Sequence, residues 1–168
     1  AVTSAISSGY RMIDTASVYK NEESVGRAIA KCGVPRKDLF ITSKIWNTAQ
    51  RLGDVQGAFS RSLDRLKLSY VDLYLIHWPV PGCYLSTWKE LENILESGRA
   101  LSIGVSNFDI RHLEELRKVS GIIPAVNQIE CHPLCFPSEL IEYCRAFGIQ
   151  VQAYSPLARG AYFDNDVM

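Results

Sequence analysis

The sequence predicts an α/β fold with a parallel sheet covered by helices. Short, mostly apolar runs alternate with segments of helical periodicity, and the repeat averages roughly thirty residues, the usual size of a strand-helix-strand unit. Parallel neighbours are joined only through a crossover, and a strand covered on both faces carries apolar residues on both sides, so pattern and spacing imply the same sheet. With 168 residues, 47% of them hydrophobic, the chain is long enough for one ordinary domain. No linker, low-complexity tract or composition break divides it, so residues 1–168 read as a single domain.

Ala1 to Ser8 reads as the tail of a helix feeding a first strand, Tyr10 to Ile13. Asn21 is placed to cap a helix carrying Val25, Ile29 and Cys32, and Gly33 offers its stop. The second strand, Leu39 to Thr42, precedes a helix with Val55, Phe59, Leu63 and Leu66 on one stripe and Arg61, Arg65 and Lys67 on a solvated face. Val71 to Ile76 forms the third strand, followed by a stripe of Leu85, Trp88, Leu91 and Leu95 closed by Gly98. The fourth, Ala100 to Val105, leads to a helix with Ile110, Leu113 and Leu116 behind an Asp109 cap, on which His112 is a solvated residue. After the fifth, Ile123 to Asn127, Pro137 suits the first position of a helix bearing Leu140, Ile141 and Cys144 and ending at Gly148. Ile149 to Ala153 is the sixth strand, and the residues after Tyr154 read as a loop.

Eighteen basic and eighteen acidic side chains cancel, so no global field draws this protein to nucleic acid or anionic lipid. No apolar stretch approaches the ~20 residues of a membrane span, and Ala1 to Gly9 lacks the basic start and apolar core of a signal peptide. Five cysteines without a CxxC pair read as reduced thiols in the cytoplasm, with no metal site expected from their spacing.

Two architectures fit the alternation, an open doubly wound sheet and a closed (β/α)8 barrel. No GxGxxG turn follows any strand, which favours the barrel. In either, the carboxyl ends of neighbouring strands open onto one crevice. Asp14 with Tyr19, Lys44, and His77 each fall where an apolar run ends, so an acid, a phenol, an ammonium and an imidazole converge there. Taken singly, Asp14 is an ordinary turn residue, Tyr19 a core-edge residue, Lys44 a strand terminus and His77 a core histidine; together they are equipment for moving a proton. A phenol donates slowly to a carbonyl oxygen unless a cation stabilises the phenolate left behind; Lys44 supplies that cation and Asp14 keeps it ionised.

Six motifs in order resemble the aldo/keto reductases, including prostaglandin F synthase-like members. They are Gly9-Tyr-Arg-Met-Ile-Asp14-Thr-Ala-Ser-Val-Tyr19-Lys-Asn-Glu22, Ile41-Thr-Ser-Lys44-Ile-Trp46 and Asp72-Leu-Tyr-Leu-Ile-His77-Trp-Pro79. Ile103-Gly-Val-Ser106-Asn107-Phe, Val126-Asn-Gln128-Ile-Glu-Cys-His-Pro133 and Ala153-Tyr154-Ser155-Pro-Leu157 complete the set. The resemblance implies a (β/α)8 barrel that binds NADPH, with NADH possible, and reduces a small-molecule aldehyde or ketone to an alcohol. It makes Tyr19 the general acid, supported by Lys44 and Asp14, while His77 orients the carbonyl and shares in the proton transfer. Ser106, Asn107 and Gln128 would bond the nicotinamide carboxamide, Tyr154 would stack under the ring, and Ser155 and Leu157 would lie along the pyrophosphate. Trp46 and Trp78 are candidate walls of the substrate pocket.

About six of the barrel's eight units are visible, the second to seventh strands of the resemblance, so the domain reads as truncated at both ends. A full-length protein is then expected to be a monomer and a truncated one to associate. A non-catalytic cofactor-binding or structural relative, or an inactive partial barrel, is the alternative function.

Overall fold

The computed structural model describes residues 1–161. Six strands, β1 (Met12–Asp14), β2 (Phe40–Ile45), β3 (Leu73–Ile76), β4 (Ile103–Ser106), β5 (Val126–Glu130) and β6 (Gln150–Tyr154), form one sheet in sequential order, every pair parallel. The helices α1 (Val2–Ser7), α2 (Glu22–Lys31), α3 (Asn47–Arg51), α4 (Val55–Leu66), α5 (Tyr84–Glu96), α6 (Ile110–Val119) and α7 (Ser138–Ala146) precede and connect them.

Strand alternation sorts the side chains onto two faces. Ile41 and Ile45 of β2, Tyr74 and Ile76 of β3, and Ile103 and Val105 of β4 join Phe59, Leu66, Trp88 and Leu91 in the main core against the helices. The intervening Leu73 and Leu75 pack with Val126 in a small second cluster on the opposite face. The sheet curls around that face. Strands β1 and β5 are four places apart, which is about 19 Å across a flat sheet, yet Gln128 Nε2 of β5 donates to Asp14 Oδ2 of β1 at 2.9 Å. The curl and the uniform parallel order are those of a partial (β/α)8 barrel, as the motifs imply.

The observed strands lie about two residues further along the chain than the apolar runs suggest. Tyr10 is exposed before β1, Ile123 is exposed before β5, and Val71 makes only an isolated bridge with Ala100. Lys44, Ser106, Gln128 and Tyr154 are ladder residues, and Asp14 closes β1, so these polar groups belong to the strands and do not follow them. His77 sits just past its strand, as do Trp46, Asn107 and Ser155.

Helix ends follow the expected chemistry in part. Asp109 accepts from the His112 amide at 2.9 Å while His112 Nδ1 accepts from the Asp109 amide at 3.3 Å, a capping box. His112 is thereby tied down and packed against Tyr84 and Phe108, which corrects its expected solvation. Asn21 stands at the N-cap of α2 but makes no cap bond; its Oδ1 accepts from the Thr15 hydroxyl instead. Pro137 is the N-cap of α7, one place before the expected first turn. Arg65 is not on a free face, since it pairs with the buried Glu22. Helix α3 has no apolar stripe and was not expected.

Candidate active site

Inward-pointing residues at the carboxyl ends of the strands, with the loops beyond them, line a cleft of about 570 Å³. Its walls include Asp14, Tyr19, His77, Trp78, Ser106, Asn107, Gln128, Tyr154 and Ser155. The structure thus gathers nine of the twelve expected site residues around one space. Lys44 lies just beneath it with a fully buried side chain. Trp46 lines a neighbouring cavity with Lys20, Glu22, Arg61 and Arg65 and meets the first site at His77, the two rings edge-on with centroids 5.1 Å apart. Leu157 is exposed and outside the lining.

The Lys44 ammonium pairs with Asp14 and donates to the Thr15 carbonyl at 3.0 Å. Its nitrogen lies 5.3 Å from the Tyr19 ring centroid. Burial pulls Lys44 below its ordinary value, and the Asp14 carboxylate pulls it back up by charge and hydrogen bond. Tyr19 is half exposed, and its phenol is pushed above the ordinary value, by desolvation first and then by the negative charge of Asp14 and by Tyr154. The net direction is therefore opposite to that of a phenol dominated by a nearby cation, because desolvation and then the Asp14 carboxylate both disfavour the phenolate. Desolvation, reinforced by Lys44, lowers His77 to about 4, with Asp14 opposing. The imidazole is neutral at pH 7, and its buried Nδ1 has no hydrogen-bond partner among the described residues.

The other wall is a network of neutral groups. The left-handed turn at Asn107, with φ of 62°, is a conformation asparagine tolerates better than most residues. From there its Nδ2 donates to the His77 carbonyl and to Ser106 Oγ, both at 3.0 Å, while Tyr154 donates to its Oδ1 at 2.9 Å. Ser106 Oγ donates to the Gln128 carbonyl at 2.8 Å, and Gln128 Nε2 bridges Asp14 and Gln152.

Gln152, Met12, Ala153 and Arg159 line the cleft without having been singled out in the sequence. Met12 and Gln152 are each two residues from an expected position on the same strand, so alternation could have found them. The 3-10 turn Ala158–Gly160 brings Arg159 to the wall, and no motif signalled that. Gln50 is another buried partner, its Nε2 holding the Trp78 carbonyl at 3.0 Å.

A curled, uniformly parallel sheet with an acid, a phenol, an ammonium and an imidazole gathered at its carboxyl end defines a (β/α)8-type protein with its candidate site where such barrels carry theirs. The chain belongs to the aldo/keto reductase family, whose model matches residues 1–167. It is 52% identical over its whole length to glyoxal reductase of Bacillus subtilis and 48% identical to methylglyoxal reductase of Yersinia pestis, in each case covering 61% of the relative. Among solved structures, a Bombyx mori aldo-keto reductase in complex with NADP superposes with a TM-score of 0.88 at 43% identity, over 92% of this chain and 55% of that one. The chain thus spans about 60% of the length of the curated relatives.

Proposed function

We propose that these residues carry the catalytic centre of an NADPH-dependent reductase of small aldehydes or ketones. The observation that carries this reading is the buried Lys44, paired with Asp14 and 5.3 Å from the ring of a cleft-lining Tyr19 beside His77. Ser106, Asn107 and Gln128 present only hydroxyl and amide groups, a donor set that suits a neutral carboxamide, and the Tyr154 ring suits a flat heterocycle. They would hold the nicotinamide, with Ser155 and Leu157 along the pyrophosphate. When bound, the reduced cofactor supplies a hydride to the carbonyl carbon of the substrate.

Tyr19 donates its hydroxyl proton to the carbonyl oxygen. Its upward shift keeps the phenol protonated throughout the neutral range, and Lys44 faces the phenolate that remains until solvent returns a proton. A neutral His77 has a single ring N–H, which can orient the carbonyl oxygen but leaves no second proton to give, so proton delivery falls to Tyr19. Trp78 supplies an apolar wall. The silkworm relative's NADP favours NADPH, with NADH the alternative. The five free cysteines suit a cytoplasmic setting, and no helix among the described residues is long and apolar enough to cross a membrane.

The test follows NADPH oxidation in the full-length protein across a panel headed by glyoxal and methylglyoxal. Tyr19→Phe is expected to lower kcat by about 10²–10⁴-fold with little change in KM. Equal rates in both proteins would remove Tyr19 from the chemistry.

A further inference from the structure

The segment bearing Tyr19 is short and half exposed, yet its geometry against Lys44 must hold to a fraction of an ångström for proton transfer. Its fastening lies on the helix-facing side of the sheet, behind the cleft. Lys44 of β2 points inward, so by alternation its neighbour Ser43 points outward, where it is wholly buried. There Ser43 Oγ donates to Glu22 Oε1 at 2.6 Å. Glu22, the first residue of α2 and three beyond Tyr19, is 1% exposed. Its other oxygen accepts from Arg65 Nε at 2.7 Å and from Ser62 Oγ at 3.3 Å, both on α4. Two residues before Tyr19, Ser17 Oγ donates to the Lys44 carbonyl at 3.0 Å. The donor phenol is thus bracketed by Ser17 and Glu22, each tied to one of the consecutive β2 residues Ser43 and Lys44.

We propose that Glu22 and Ser43 form a positioning clamp that sets the Tyr19 phenol against the Lys44 ammonium. This inference rests on the role given above to Tyr19. A carboxylate that is 1% exposed is expensive to bury, and a hydrophobic staple would fasten α2 to the sheet without that cost. The carboxylate adds direction: two oxygens divided between the strand that bears Lys44 and the helix α4 fix both the height and the rotation of α2, and with them the residue three positions upstream. Neither Glu22 nor Ser43 touches the cleft, so both act through Tyr19 and Lys44.

The test uses the full-length protein with Ser43→Ala and Glu22→Gln, the latter keeping an oxygen for Ser43, beside Ile94→Val as a core variant in α5 remote from the site. Two quantities are read: steady-state reduction, and ionisation of Tyr19, isolated as the ultraviolet phenolate difference between each protein and its own Tyr19→Phe version. Release of the clamp lets water reach the phenol, so in Ser43→Ala Tyr19 should ionise at lower pH, nearer the ordinary value of 10.0. Its kcat should fall about tenfold to a hundredfold at nearly constant KM. Glu22→Gln should lie between parent and Ser43→Ala, and Ile94→Val should leave the Tyr19 ionisation in place. An unchanged Tyr19 ionisation in both clamp variants overturns the proposal, even where their thermal stability drops. Because that titration needs no turnover, it still tests the clamp if Tyr19→Phe proves fully active and the catalytic reading itself fails.

Discussion

At the scale of single residues, the cleft shows burial and charge acting against each other, and His77 is the clearest case. Desolvation and the positive Lys44 outweigh Asp14 and lower the imidazole from 6.5 to about 4, so the folded protein holds it neutral. Between those two values the unfolded chain takes up a proton that the folded chain rejects. Stability from this group is therefore complete above pH 6.5 and is lost as pH falls through the window, by about 2 kcal/mol at pH 5. Urea midpoints at pH 7 and pH 5 measure the loss, and His77→Gln should remove most of the difference. A midpoint that falls equally in both proteins would assign the acid sensitivity elsewhere. Tyr19 illustrates the same balance with the opposite outcome. Motif and chemistry suggested a phenol governed by Lys44, whereas desolvation, followed by the negative charge of the Asp14 that pairs with Lys44, is in control.

At the scale of elements, packing decides where propensity would mislead. Gly26 lies within α2, where alanine ordinarily gains about 1 kcal/mol over glycine. A β-carbon there would stand 2.3 Å from the Leu66 carbonyl oxygen at the end of α4, and backbone cannot step aside. Gly26→Ala should therefore destabilise by about 3 kcal/mol, a fall of about 6–12 °C in Tm. Gly57→Ala is the contrast: its β-carbon meets the Asp54 and Arg61 side chains, an exposed pair free to swing away, so Tm should stay within about 3 °C of the parent. Equal losses at both positions, read by thermal unfolding, would show that close approach of α2 to α4 is not what glycine serves. The strands carry the parallel lesson about what sequence can reveal. Their number, order and parallel sense were legible because apolar runs alternate with helical stripes. Their ends were not, because Asp14, Lys44, Ser106 and Gln128 face the interior at the carboxyl ends and interrupt the apolar pattern before the ladder stops. The catalytic candidates stood out as polar residues at strand ends for that same reason. Gln152 and Arg159 were missed because one sits on an alternating face that had not been followed and the other arrives on a turn with no periodic signature.

At the scale of the whole molecule, the sheet formed by the described residues has two open edges. Among the described residues β1 pairs only with β2 and β6 only with β5, whereas closure of an eight-stranded barrel abolishes edges altogether. The curl brings β5 within a hydrogen bond of β1 across the interior, but it leaves the outer backbone groups of a three-residue and a five-residue strand without ladder partners. Met12 on β1 and Tyr10 just before it are exposed apolar side chains beside one of those edges. Unpaired strand edges with adjacent apolar surface recruit further strands, and β-addition requires no sequence complementarity because the backbone supplies the bonds. A polypeptide limited to these 168 residues should therefore associate, its sedimentation coefficient rising with concentration toward on the order of 100 μM. A protein that joins these residues to the further strands of a closed eight-stranded barrel should sediment as a monomer over the same range. A short polypeptide that stays monomeric throughout would refute recruitment at the edges, and a closed-barrel protein that associates equally would place the contact away from them. Charge repulsion cannot prevent the association, since the acidic and basic side chains cancel, so raising the salt concentration should leave it nearly unchanged.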